Sequence, residues 1–181
     1  MNKEVIIQKL LSNHQEFAEL VSSLDESGFN FSANNKWTAG QHLEHIYLAV
    51  SPLTKALILP VFILKLLFGK TNRLSKNYEG LVKKYSDKLQ NGGVASGRFI
   101  PKKVSFEQKE ILKRKLLKNV KILCKAVNNF TEAKLDDYIL PHPLLGKLTI
   151  KEMLYFTIYH VEHHKKLVLQ NLHMQSESAK G

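Results

Sequence analysis

The sequence contains little cysteine and little arginine, and both shortages bear on function. Cys124 is the single cysteine among 181 residues, so no disulfide can form within the chain, which is typical of a reducing compartment. The 27 basic residues outnumber the 16 acidic ones, yet only three of them are arginines, at positions 73, 98 and 114. Because base recognition and bidentate phosphate contacts favour arginine, the formal charge of +11 does not indicate a nucleic-acid partner.

The sequence also lacks a hydrophobic run long enough to span a bilayer. The N-terminal segment has no apolar core of the kind that secretory signals carry. The apolar stretch ALILPVFILKLLF, residues 56–68, contains Pro60 and Lys65 and is shorter than the ~20 residues that a span needs. We therefore expect a cytoplasmic protein with no membrane partner. Residues 56–68 are expected to be a buried extension of a helix, bent at Pro52 or Pro60. A surface for a partner subunit or a membrane is the alternative.

Apolar residues at helical spacing predict four long helices, near residues 3–25, 38–58, 105–129 and 149–172. Three of them begin with the spacing of a capping box, in which two side chains satisfy each other's free backbone donors: Thr38 with Gln41, Ser105 with Gln108, and Thr149 with Glu152. No alternating run with hairpin turn signals competes with these helices. The pattern predicts an all-α protein, a four-helix bundle that forms a single domain over residues 1–181. Residues 60–104 would be an elaborated connection between its second and third helices.

Three histidines lie close together in YHVEHHKKL, residues 159–167. His160 and His164 are one helical turn apart, so both rings can reach one metal ion. Helical periodicity places His164 at the edge of the buried stripe and His160 beside it, whereas His163 faces away and is expected to be exposed. Histidine pairs at this spacing are also common without a metal, and a zinc-like site needs a third ligand. The candidates are His14, His42, His45 and His142.

The segment WTAGQHLEH, residues 37–45, together with HVEHH, residues 160–164, resembles the DinB-like superfamily of bacterial four-helix bundles. Residues 142–164 look more particularly like a domain-of-unknown-function branch of it. The resemblance implies a three-histidine metal site, which falls by position on His45, His160 and His164. Periodicity instead slightly favours His42 as the inward-facing residue of the second helix, and His42 remains the alternative to His45.

The resemblance also implies a chemistry. Three neutral imidazoles would hold a divalent transition metal, zinc or nickel, with a position open to water or substrate. Relatives include transferases and isomerases that use low-molecular-weight thiols. The implied activity is therefore metal-dependent S-transfer to an electrophilic small molecule, or a related hydrolase or isomerase reaction. The alternative is a bundle that keeps the metal, or only the histidines, for structure or binding without turnover. An open metal position facing a cavity would favour the enzyme.

The remaining candidate residues have simpler expected roles. His14 is expected to be a core histidine or a hydrogen-bond partner of a ligand, and His142 to hold the loop that precedes the last helix. Cys124 is expected to be a buried apolar residue. Because bundles of this family often pair, a homodimer through residues 56–68 is a further expectation, although burial within one chain would serve as well.

Overall fold

Helices make up most of the computed structural model, which describes residues 1–178. Four of them are long: α1 (Lys3–Ser22), α3 (Ala39–Leu57), α6 (Lys109–Asn128) and α8 (Ile150–Ser178). Four are shorter: α2 (Glu26–Asn30), α4 (Val61–Phe68), α5 (Tyr78–Gln90) and α7 (Glu132–Asp137). Two 3₁₀ turns, Gly97–Phe99 and Phe106–Gln108, and two strands, β1 (Ile139–His142) and β2 (Gly146–Thr149), complete the described elements. The predicted all-α class is confirmed.

The four long helices pack against one another, and their apolar stripes form most of the core. Helix α1 contacts α6 and α8, and α3 contacts the same two helices. Fully buried side chains lie on all four: Phe17 on α1, Leu43 on α3, Leu123 on α6 and Leu154 on α8. Helix α8 continues to Ser178, beyond its predicted end at residue 172. The predicted domain extends to residue 181, and its last three residues lie outside the described part.

Each predicted capping box is present. Thr38 and Gln41 cap α3 reciprocally, and Ser105 and Gln108 do the same for the 3₁₀ turn that leads into α6. At the start of α8 the backbone N–H of Glu152 donates to Thr149 Oγ1 at 3.1 Å, and the N–H of Thr149 donates to Glu152 Oε2 at 2.9 Å. The boxes of α3 and α8 define the starts of the two helices that carry His45, His160 and His164.

A short β-hairpin precedes α8, contrary to the expectation that no hairpin signal was present. Strands β1 and β2 pair antiparallel, with Leu140 opposite Leu148 and His142 opposite Gly146. Gly146 has a φ of +76°, a conformation that glycine adopts without a steric penalty. Four residues per strand, one of them Pro141, are too few to show clear alternation in the sequence. Tertiary contacts with α8 and α4 stabilise the hairpin.

The expectation that residues 56–68 are buried within the chain is wrong for most of the segment, in which only Leu57 and Leu64 are buried. Helix α3 ends at Leu57, and α4 leaves it at an angle of 111° after Pro60. Pro52 lies inside α3 and does not end it. Only Leu64 is buried on α4, whereas Phe62 is 71% and Leu66 83% exposed. A helix that is apolar all round is normally buried. The composition of α4 therefore predicts burial, which contacts within the single chain do not provide.

The 60–104 connection contains more regular structure than the sequence predicted. Besides α4 it contains α5, which begins at an Asn77 cap that accepts from the N–H of Gly80. Helix α5 packs against α8 through Tyr85, whose ring centroid lies 5.2 Å from that of Phe156. Among residues 1–178 no single helix is long and apolar enough to cross a membrane, although α3 and α4 together meet the criterion by length and composition.

Candidate metal centre

The three histidines predicted as metal ligands lie together inside the protein. His45 comes from α3, and His160 and His164 come from α8, which packs against α3. Their potential ligand atoms all lie within 4.8 Å of one another. The Nε2 atom of His160 is 3.2 Å from that of His45 and 3.0 Å from that of His164. Three Nε2 atoms therefore converge on one point, as a shared metal ion requires.

Hydrogen bonds on the outer edges of two rings support this orientation. His45 Nδ1 lies 2.7 Å from the carbonyl oxygen of Phe99. A carbonyl can only accept, so Nδ1 of His45 carries the proton and its Nε2 keeps a free lone pair. His164 Nδ1 lies 2.8 Å from Nδ1 of His42. Such outer contacts are the ones that orient histidine ligands in metal sites.

Burial keeps these imidazoles neutral. It lowers the pKa of His160 and of His164 well below 6.5, and the neighbouring histidines lower both further. Burial also lowers the pKa of His45, although its hydrogen bond to the Phe99 carbonyl opposes this effect. Metal ions bind neutral imidazole. The donor set therefore fits a divalent transition metal with affinity for nitrogen, without the need to remove protons first.

The histidine cluster lines a cavity of 580 Å³ whose exposed lining is mostly apolar. Trp37 covers one side, since its ring centroid lies 4.9 Å from His45 and 6.0 Å from the nearly parallel ring of His164. Tyr85 and Phe156 also line the cavity, together with the hairpin residue His142. A small molecule in this cavity would lie beside the imidazoles in a mainly apolar environment.

Both candidates on α3 prove to face inward. His42 is 4% and His45 5% exposed, so the helical phase did not distinguish them. His45 belongs to the converging set, whereas His42 lies one turn earlier and contacts the far side of His164. His45 thus lies in one group with His160 and His164, and His42 lies outside that group.

His163 differs from its predicted position. It does not face solvent freely: it is half-buried, lines the cavity and lies 6.0 Å from the ring of Tyr85, measured between centroids. The physical reason is α5, which covers this face of α8 and was not predicted as a helix. His163 nevertheless stays outside the converging set.

The other histidines and the cysteine have roles that the structure makes specific. The Nδ1 atom of His142 accepts from the N–H groups of Leu144 and Leu145, both at 3.1 Å, so this residue holds the hairpin turn as expected. His14 Nδ1 donates to the Leu10 carbonyl at 2.7 Å; His14 is a core histidine outside the set. Burial raises the pKa of the Cys124 thiol to about 11, as expected of a buried apolar residue and not of a nucleophile.

Two contributors to the site, the Phe99 carbonyl and Tyr85, were not predicted from the sequence. The Phe99 carbonyl belongs to a 3₁₀ turn in the long connection, and no side-chain pattern indicates a backbone acceptor. Tyr85 could have been predicted from the sequence, because the apolar residues Leu81 and Tyr85 are about one helical turn apart in a segment that follows the cap residue Asn77.

The chain matches the model of a known protein family. The family model described as the DinB superfamily matches residues 9–168, a range that includes all three converging histidines. The chain belongs to the DinB superfamily. The resemblance noted in the sequence is thereby confirmed at the level of the superfamily, and the particular branch stays a prediction. No curated protein and no solved structure was found to match the chain at a significant level.

Proposed function

We propose that this DinB superfamily protein is a four-helix bundle that binds one zinc or nickel ion through His45, His160 and His164. We further propose that it uses this site for S-transfer from a low-molecular-weight thiol to an electrophilic small molecule. The observation that carries the proposal is the convergence of three buried Nε2 atoms at the wall of a large cavity.

The chemistry of the donor set supports the metal. Bringing three imidazoles together without an ion places polar nitrogens in a buried space, where only hydrogen bonds among the rings satisfy them. The ring edges that face outward are occupied by the Phe99 carbonyl and His42, and this leaves the inward Nε2 atoms for an ion. A divalent ion in this position would supply a Lewis acid that lowers the pKa of a thiol or water.

The cavity supports turnover over a purely structural role. Structural zinc sites are closed by four protein ligands, whereas catalytic sites keep a position open. Here three histidines converge, and the same three residues line the cavity. An open position would therefore face a space that a substrate can enter.

Residues of this chain provide the surroundings of the reaction. Trp37 and Phe156 pack against His45 and His160, with ring centroids 4.9 Å and 4.6 Å apart. These apolar neighbours strengthen electrostatic interactions at the histidines. Because Nδ1 of His142 accepts two backbone N–H groups, its ring proton is on Nε2, and the ring lines the cavity. Burial raises the pKa of the Tyr85 hydroxyl, so Tyr85 stays protonated and serves as a hydrogen-bond donor to a substrate.

Metal analysis of the purified protein tests the site. We expect about one divalent transition metal per chain, as one three-histidine site requires. Tight binding should be abolished by each of the variants His45→Ala, His160→Ala and His164→Ala, because only two of the three imidazole ligands would remain. His163→Ala is the matched control and should retain the metal. Wild-type protein that binds no metal, or a larger loss in His163→Ala than in His160→Ala, would contradict the assignment.

Thiol consumption tests the activity separately. Metal-loaded protein is mixed with cysteine or glutathione and chlorodinitrobenzene as a general electrophile. The expected product contains a new carbon–sulfur bond, with release of chloride and a proton. The wild-type rate should exceed that of the uncatalysed reaction, and the rate with His45→Ala should equal the uncatalysed rate. Metal-loaded protein without any acceleration across a panel of thiols and electrophiles would favour the alternative, a metal-binding bundle without turnover.

A further inference from the structure

We propose that His42 is a positioning residue that keeps the proton of His164 on Nδ1, so that Nε2 of His164 is free to bind the metal. This inference rests on the proposed three-histidine site and goes beyond it. It assigns a role to a residue that lies outside the converging set and makes its hydrogen bond to a member of that set.

The contact is short and buried. Nδ1 of His42 lies 2.8 Å from Nδ1 of His164, and the two residues are 4% and 5% exposed. A neutral imidazole has one donor and one acceptor nitrogen. Two Nδ1 atoms at this distance must therefore share one proton, and either ring can be the donor.

The other nitrogen of His164 decides which ring donates. Its Nε2 atom lies 3.0 Å from Nε2 of His160, on the side where the three histidines converge. A neutral histidine that binds a metal through Nε2 carries its proton on Nδ1. His164 must then donate and His42 must accept, with the proton of His42 on its own Nε2.

The comparison with His45 shows why His42 matters. The partner of His45 Nδ1 is a backbone carbonyl, which can only accept and therefore permits one tautomer. The partner of His164 can accept or donate. If His42 donated instead, the proton of His164 would be on Nε2 and would point at the proposed metal position. The tautomer of His42 thus decides whether His164 can act as a ligand.

Trp37 holds the two rings in place. Its ring packs edge-on against His42 at 5.6 Å and lies nearly parallel to His164, with an interplanar angle of 12°. His42 is also one turn before His45 on α3, so the same helix supplies one proposed ligand and the hydrogen-bond acceptor for another.

Two substitutions separate this role from packing. His42→Asn retains an acceptor near the position of Nδ1, whereas His42→Leu fills similar space without one. Zinc affinity is measured by competition with a chromophoric chelator, and thermal unfolding shows that each variant is folded. We expect His42→Leu to bind zinc about 10- to 100-fold more weakly and His42→Asn to recover most of that loss. His173→Leu, an exposed histidine near the end of α8, is the control and should bind as wild type.

Imidazole nitrogen NMR of the metal-loaded wild-type protein provides a second measurement that does not depend on any variant. We expect a protonated Nδ1 on His164 and a protonated Nε2 on His42. A protonated Nε2 on His164, or metal bound directly to His42, would overturn the inference.

Equal affinity of His42→Leu and wild type would also overturn it, as would equal weakening by Leu and Asn. If His164→Ala abolishes zinc binding while His42→Leu does not, only this inference fails. If none of the His→Ala variants of the proposed ligands changes binding, the proposed function fails with it.

Discussion

The buried carboxylate of Glu152 offers the sharpest test of how the connection is attached to the helix that carries two of the histidines. Its side chain is 0% exposed and accepts four hydrogen bonds. Oε1 accepts from Arg73 Nη1 at 2.7 Å and from the Lys76 N–H at 2.8 Å. Oε2 accepts from Arg73 Nη2 at 2.7 Å and from the Thr149 N–H at 2.9 Å. Glu152 therefore joins the segment before α5 to the first turn of α8.

Glu152→Gln changes one oxygen into an NH₂ group at nearly constant volume. In either orientation of the amide, that group faces one Arg73 N–H and one backbone N–H, so two charge-assisted bonds are lost. Each such bond contributes about 1.5–3 kcal/mol. Arg73 is partly exposed, with 38% of its side-chain surface accessible, and regains some hydration. The expected loss is therefore about 3 kcal/mol of unfolding free energy at pH 7, which lowers the melting temperature by about 6–12 °C.

The loss should depend on pH with a defined sign. Burial by itself raises the pKa of Glu152, but the hydrogen bonds from Arg73 and from the backbone of Lys76 and Thr149 together lower it below its ordinary value of 4.5. A lowered pKa in the folded state stabilises the protein above the unfolded pKa, and this stability is lost as pH falls through the folded value. The difference between wild type and Glu152→Gln should thus be full at pH 7 and shrink below pH 4.5.

Urea unfolding followed by circular dichroism at a series of pH values measures both quantities. Glu16→Gln is the control, because Glu16 is 59% exposed in its pair with Lys165, and exposed pairs contribute about 0–1 kcal/mol. Adding Arg73→Met to Glu152→Gln should cost little more, since the two residues share one interaction. A loss in Glu152→Gln no larger than that in Glu16→Gln, or one that is independent of pH, would refute the reasoning.

Further predictions concern α4 and the loop before α3. Leu64→Ala should lower the unfolding free energy by about 3 kcal/mol because Leu64 is fully buried, whereas Leu66→Ala should change it by less than about 0.5 kcal/mol; equal losses in urea unfolding would contradict the exposure of α4. If a second copy covers α4, light scattering should show a wild-type dimer and a monomeric double variant Phe62→Ser with Leu66→Ser; a monomeric wild type would contradict the expected homodimer. Asn171→Ala should lower the unfolding free energy by about 1–2 kcal/mol. The side-chain amide of Asn171 donates a hydrogen bond to the Phe31 carbonyl and accepts one from the Ala33 N–H, so an unchanged melting temperature would argue against both bonds.

The features that the sequence determined by itself depend on neighbours along the chain. The capping boxes join residues three apart, and the apolar stripes and the pair His160–His164 follow from 3.6 residues per turn. Such relations hold on any helix, whatever packs against it. These features could therefore be predicted from the sequence, and so could the superfamily, from the segments WTAGQHLEH and HVEHH.

Only the tertiary structure decided how distant segments meet. His42 and His164 are separated by 122 positions, and His45 meets the Phe99 carbonyl across 54; periodicity within one helix contains neither relation. The half-burial of His163 depends on α5, and the hairpin is stabilised by contacts with α8 and α4. The exposure of α4 also depends on distant segments. The apolar sequence of α4 predicts that the helix is buried, but the packing of the rest of the chain determines whether it is.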